Sequence, residues 1–326
     1  MIEDLSGPNR GRLEKKPLPV ELLVIFLLVA IIPSLVCIGV HRSAWKKILV
    51  REILNRNYQV AETIAFELHA SLKNTRKILE TTARYPDVRR MGITVLSSVL
   101  STLYQTHSTI FTALYVVDRH GNQLLNVTNA PEAFSDASSA VWYRNVVQGT
   151  YSNYTSNPYV SRATGNPSIT MAALVRGDMY KVEAVLAAEV DLTHLWSMLK
   201  SITIGESGFV YVVDHRGRVI CHPREDKVDT EDESFKLIVD KMNISEGPTG
   251  PFLIDSGTTE QLVACVPLSK FDELRAPSWV VMVVQPLEEI YTEERPKELR
   301  WTDGILIAAS ILMGLGAAGL FLRRLT

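Results

Sequence analysis

The sequence predicts an α+β membrane protein in which two transmembrane helices flank a long helix and two tandem modules, each with an antiparallel five-stranded sheet. Three observations predict it: two uncharged apolar runs near the ends, a proline-free amphipathic stretch after the first, and a strand–turn–strand pattern that occurs twice between them. The chain is 46% hydrophobic over 326 residues, with much of the apolar content gathered in those two runs. A net charge of −2 with acids and bases interspersed offers no basic footprint for nucleic acid, so no nucleic-acid partner is expected.

A tail of residues 1–17 precedes the first span, placed at 18–41. Its heart, Leu22 to Val40, is 19 uncharged residues, and Gly304 to Leu322 within the second span, 301–323, is another 19, each close to the roughly 20 residues that cross hydrocarbon. A cleaved signal peptide is the rival reading of the first run, but the run is too long and no small-x-small site follows. Cys37 is not a lipoprotein cysteine, because Val36 is too large for the preceding position. Arg10, Arg12, Lys15 and Lys16 before the first span, and Arg323 and Arg324 at the close of the second, put both termini in the cytoplasm of a two-pass plasma (inner) membrane protein. Residues 41–302 then lie in the periplasm or outside the cell, with Trp301 at the interface. His41, Arg42, Lys46, Lys47 and Arg51 oppose this orientation locally, an effect that long translocated domains override.

Residues 42–85 carry Trp45, Leu49, Ile53, Val60, Ile64, Leu68, Leu72 and Leu79 at spacings of three, four or seven, with no proline before Pro86. They predict one helix of about 60 Å at 1.5 Å per residue. Its apolar stripe suits pairing with a second copy or packing on the chain's own sheets.

Two modules follow, at 86–192 and 193–300. Leu114 to Val127 (LYVVDRHGNQLLNV) and Val210 to Pro223 (VYVVDHRGRVICHP) share Tyr-Val-Val-Asp and a glycine three residues later, which reads as strand, tight turn, strand. Further strands are expected at Pro158 to Ser161, Ser168 to Val175 and Val182 to Val190, then at Pro251 to Ile254, Gln261 to Val266 and Trp279 to Val284. A short helix is expected at Leu192 to Ile202. Five antiparallel strands with helices between the second and third is a PAS-like order.

This arrangement resembles the double Cache (dCache) sensor domains of bacterial and archaeal receptors, over about residues 20–325. The segments that carry the resemblance are WYRNVVQGTY from Trp142, PYVSRATGNPSIT from Pro158, GESGFVYVVDHRGRVICHP from Gly205 and SWVVMVVQP from Ser278. The resemblance implies a sheet order 2-1-5-4-3. Cys221 on the second strand and Cys265 on the fourth would then be about 14 Å apart, against the roughly 7 Å limit of a disulfide, so both are expected to be buried and unpaired.

No catalytic constellation is present: no Gly-x-Ser-x-Gly, His-Glu-x-x-His, phosphate loop or Cys-x-x-Cys. The chain is expected not to be an enzyme and to need no cofactor. His215, Cys221 and His222 are near in sequence but fall in different registers of the hairpin, so no metal is expected.

What the resemblance implies is a small-molecule ligand in the first, membrane-distal module. In amino-acid-binding members an arginine two positions before a Trp-Tyr pair grips the carboxylate, and Tyr and Asp side chains grip the amino group. Carried over, Trp142, Tyr143, Tyr159 and Asp191 are the candidate ligand residues. Two positions depart from the pattern: Ala140 stands where the arginine belongs and Ser161 where an acid belongs. Loss of the guanidinium removes the bidentate carboxylate clamp, and the remaining aromatic groups and one anion suit a cationic amine. Plain structural roles are open for each: Trp142 and Tyr143 packing a helix on the sheet, Tyr159 as an edge aromatic, Asp191 capping the helix near Leu192. Arg144, Arg162 and Arg176 offer an anion site instead.

Ser310, Gly314 and Ala318, four apart, give the second span a close-packing face for a homodimer or for the chain's own first span, which Pro33 can kink. In related receptors the returning helix biases a cytoplasmic kinase, cyclase or methyl-accepting domain. With Thr326 two residues after Arg324, the effector is expected on a separate partner such as a histidine kinase, or on the remainder of a longer receptor. The competing class is a membrane-anchored scaffold or assembly subunit that does not signal.

Overall fold

A computed structural model describes residues 20–90, 92–128, 137–148, 152–177, 181–242, 248–255, 259–272, 277–293 and 297–325. The chain forms two units, one of the stretch up to Arg51 with Ile290 onward, the other Glu52–Glu289.

Helix α1 runs unbroken through Val20–Ala83, so the first apolar run and the amphipathic stretch are one element of 64 residues. It stops where Tyr85 turns extended ahead of Pro86, a residue whose ring excludes the helical conformation at the position before it. Pro86 opens the short α2 (Pro86–Arg89), and α3 (Ile93–Thr106) follows.

The first sheet comprises β1 (Phe111–Asp118), β2 (Gln123–Thr128), β3 (Asn153–Thr155), β4 (Tyr159–Val160), β5 (Pro167–Arg176) and β6 (Val182–Asp191), with α4 (Val141–Val147) between β2 and β3. Its order is β2-β1-β6-β5-β3, with β4 also on β5. After α5 (Thr193–Ser201), the second sheet comprises β7 (Thr203–Ile204), β8 (Gly208–Asp214), β9 (Val219–Cys221), β10 (Gly250–Asp255), β11 (Glu260–Pro267) and β12 (Trp279–Pro286), with α6 (Glu233–Met242) before β10. Its order is β10-β11-β12-β8-β7, with β9 on β8. Each sheet therefore has six strands where five were expected. In the first, the third strand is split into β3 and β4 around Pro158, which has no N–H to donate; in the second, two-residue β7 adds to β8.

The repeat has a common turn. Asp118 Oδ1 accepts the N–H groups of His120 and Asn122 at 2.8 and 2.9 Å, and Asp214 Oδ1 accepts those of Arg216 and Arg218 at 2.8 and 2.9 Å. Gly121 and Gly217 take φ of 98° and 81°, where a side chain is strained. Burial pushes the Asp118 carboxyl up, but the bonds from Asn122 and His120 outweigh it and hold the group below the usual range.

One apolar core underlies both sheets. It joins Ile64, Leu68, Leu72 and Leu79 of α1 to Leu114, Val116 and Leu186 of the first sheet and to Val212, Val281 and Trp279 of the second. The α1 stripe predicted from spacing is thus spent on the chain's own sheets, each fully buried aliphatic side chain contributing about 1.5–3 kcal/mol. The opposite, outer face of each sheet has its own smaller core, against α4 in the first and α6 in the second. Cys221 belongs to the α1-side core and Cys265 to the outer one; both are free and buried.

Beyond β12 come α7 (Leu287–Glu293) and α8 (Lys297–Leu325). Among the described residues no helix is long and apolar enough to cross a membrane, so α1 and α8 are present as helices while the two transmembrane spans expected from sequence are not shown. Ser310 of α8 is hydrogen-bonded to Ser34 of α1 and Gly314 is buried, so the chain's own α1 occupies the small-residue face at Ser310. Ala318 lies outside the residues whose side chains are described.

Candidate ligand site

The outer face of the first sheet is where polar chemistry collects. Residues directly opposite each other in a sheet share a face, and the register sets Asn126, Tyr115, Ala187, Ala172 and Tyr154 in one row across β2, β1, β6, β5 and β3. The next row holds Ala113, Glu189 and Thr170. Alanines at 113, 172 and 187 keep the floor low beneath larger neighbours. Tyr115, Trp142 and Tyr154 stand partly buried around this face, and α4 packs over it through Tyr143 and Val146.

Glu189 is the central group. Its residue is 9% exposed and its Oε1 is buried with no hydrogen-bond partner. Two further buried oxygens on β2 lack a partner, Oδ1 of Asn126 and Oε1 of Gln123; Asn126 shares a row with Tyr115, and Gln123 pairs with Val117 of the same outer core. All three are acceptor oxygens. The Tyr159 hydroxyl shares a 2.9 Å hydrogen bond with Thr170 Oγ1 and faces the Glu189 carboxylate. Burial, and then the Glu189 charge, push the Tyr115 phenol up to about 12. Burial likewise lifts Tyr159, against the lowering effect of the Thr170 bond.

Of the four residues named from sequence, the structure brings Trp142 and Tyr159 to this face and commits the other two to bonds within the fold. Tyr143 donates its hydroxyl to the Asp118 carbonyl at 3.0 Å, pinning α4 to the end of β1. Asp191 accepts the Thr193 N–H at 2.6 Å at the start of α5 and the Asn166 amide at 2.8 Å. Sequence reasoning missed Glu189, Tyr115, Thr170 and Asn126. The signal for Glu189 was an acid deep inside the apolar run VEAVLAAEVD; that for Tyr115 was its place in the repeat.

The alternative cations are elsewhere. Arg144 and Arg162 are exposed, and Arg176 lines a cavity of about 490 Å³ at the β5 edge with Arg84 and Arg89. Among the described residues no cluster of three His, Cys, Asp or Glu could hold a metal ion; Cys221 sits in the α1-side core while His222 meets Tyr211 of the outer one.

Comparison with known proteins gives one consistent result. The sequence profile of the family described as Cache domain (dCache_1) matches residues 46–293. A "probable methyl-accepting chemotaxis protein" of Bacillus thuringiensis is 24% identical over 287 residues, 82% of this chain; the chain spans 42% of that relative's length. The ligand-binding domain of the Pseudomonas aeruginosa amino acid chemoreceptor PctB with L-Gln superimposes with a TM-score of 0.60 at 14% identity, over 77% of this chain and 98% of that one. The corresponding domain of Pseudomonas aeruginosa PctC with GABA gives 0.54 at 19% identity, over 71% and 99%.

Proposed function

The chain belongs to the Cache domain family, and from that membership we propose that it is the sensing half of a transmembrane signal receptor whose first module takes a protonated amine on its outer sheet face. The observation that carries the reading is the buried Glu189 carboxylate with an oxygen to spare. Burying an ion costs several kcal/mol unless a partner offsets it, and an ammonium group brings both charge and N–H donors. Tyr115, Tyr159 and Trp142 supply ring faces that attract a cation, and the Asn126 and Gln123 oxygens take further N–H groups. Ala140 offers nothing to a carboxylate, so the ammonium end is the recognised part. That similar domains were solved with amino compounds, L-Gln and GABA, supports this class.

In this reading the apolar part of α1 before residue 41 and α8 cross the plasma membrane, and both ends face the cytoplasm. Supporting it, Val29, Val36 and Val40 of α1 and Trp301, Leu312 and Met313 of α8 are 61–73% exposed, an apolar surface that suits lipid. The membrane-distal module reports through β12, α7 and α8, as a homodimer, to a cytoplasmic effector such as a histidine kinase or methyl-accepting domain. The sensing chain itself performs no catalysis.

Full-length chain in lipid nanodiscs tests the ligand class: ethanolamine, putrescine or histamine should raise its melting temperature, and Glu189→Gln should remove the rise. No shift with any amine, together with pulldowns that return only structural proteins, would favour the scaffold reading. For topology, Cys37 should resist an impermeant maleimide in intact cells until detergent is added. Labelling without detergent would refute the first span.

A further inference from the structure

The second module has its own cavity on the equivalent face, about 250 Å³, and nothing in the distal-site reading uses it. Phe209, Tyr211 and His222 line it as a continuous aromatic wall. The Phe209 and His222 rings are 5.0 Å apart at 67°, Tyr211 and His222 are 5.4 Å apart, and Phe209 and Tyr211 are 5.9 Å apart. His222 Nδ1 lies 2.9 Å from the Arg224 N–H and 3.2 Å from the Arg224 carbonyl oxygen, which fixes the ring against the wall. Asp232 also lines the cavity, bonded to the Tyr211 hydroxyl and to the Phe235 N–H at 2.6 Å. Among the described residues no Lys or Arg pairs with this carboxylate.

The internal repeat makes the placement more than coincidence. Tyr211 is the counterpart of Tyr115, the first residue of the second Tyr-Val-Val-Asp, and both lie on the outer faces of their sheets. Each module therefore sets a tyrosine and a carboxylate beside the outer face of its sheet, Tyr115 with Glu189 in one and Tyr211 with Asp232 in the other. The second cavity differs at its mouth, where Arg224 and Lys227 are exposed beside Glu231 and Glu233. Aromatic faces and an anion inside with guanidinium and ammonium groups at the rim match a molecule with a cationic head and a carboxylate tail.

We infer that the cavity between the second sheet and the start of α6 is a second ligand site, for a small zwitterion whose ammonium sits against Asp232 and the Phe209–Tyr211–His222 wall and whose carboxylate meets Arg224 and Lys227. Asp232 also stands ahead of the first turn of α6, and asparagine caps helices about as well as aspartate, so Asp232→Asn removes the charge while keeping the cap.

Calorimetric titration of the full chain in nanodiscs tests it with two probes, glycine betaine and choline, the second having the same cationic head without the carboxylate. Glycine betaine should bind at one site that survives Glu189→Gln and weakens by about tenfold or more in Asp232→Asn, the loss expected when a partly buried charge partner is removed. Arg224→Gln with Lys227→Gln should weaken glycine betaine and leave choline unchanged. Absence of betaine binding to the wild-type chain, or binding lost in Glu189→Gln and untouched in Asp232→Asn, would overturn the site. Because Glu189→Gln leaves this cavity intact, failure of the distal reading and failure of this one give different patterns.

Discussion

Glu189 and Asp191 differ by two residues on one strand, and a strand's period of two places both on the same face. Periodicity therefore cannot separate them, and sequence reasoning took the acid at the strand end. The structure separates them by depth: Asp191 lies where β6 gives way to α5 and its oxygens serve Thr193 and Asn166, while Glu189, two pairs further in, has an oxygen unused. Asp191→Ala should accordingly leave an amine-induced thermal shift in place and lower stability by about 1 kcal/mol, the usual cost of losing such a backbone bond. Loss of the shift in Asp191→Ala but not in Glu189→Gln would reverse the assignment. Two histidines give a second prediction at this scale. Burial holds His69 and His222 below their ordinary 6.5, so the unfolded chain takes up these protons first. Their contribution to stability is complete above pH 6.5 and is lost as pH falls through that value toward the folded pKa values. The melting temperature should be level from about pH 8 to 7 and fall by about pH 5.5; a flat profile across that range would show that neither ring is protected.

The repeated hairpin was the most legible element, because its turn chemistry is local. Asp118 and Asp214 cap their own turns and Gly121 and Gly217 supply the left-handed backbone, all within four residues. Gly217 is doubly constrained: its φ is 81°, and an added Cβ would lie 2.6 Å from Phe235 Cδ1 beneath α6. Gly217→Ala should destabilise by roughly 1–3 kcal/mol, measured as a lowered denaturation midpoint, and the loss should be smaller in a Phe235→Ala background where the clash is gone. An equal loss in both backgrounds would place the whole cost in the backbone. Less legible were α2 and the division of the third strand into β3 and β4. These depend on what the sheet edge pairs with, and elements of two to four residues carry too few side chains to show a period. The join of the first apolar run to the amphipathic helix was also unmarked, since nothing between residues 41 and 45 breaks a helix.

At the scale of the molecule, the α1 stripe and the inner faces of both sheets make one core, which sequence spacing left open between self-packing and pairing with a second copy. Trp279 of β12 is 1% exposed within that core and its ring lies 5.8 Å from that of Trp196, tilted by 58°, on α5, the helix between the sheets. Both modules should therefore unfold in one transition, and Trp279→Ala should cost about 3–5 kcal/mol without splitting it; two separated transitions in the wild-type chain would contradict a shared core. Residues 52–289 hold both sheets as one unit. The central claim is that the distal outer face recognises an ammonium group through Glu189. Calorimetric titration of the full chain with putrescine, in the Asp232→Asn background so that the second cavity is silent, measures it most directly. The account predicts saturable binding at one site per chain that Glu189→Gln abolishes; binding undiminished by Glu189→Gln would contradict it.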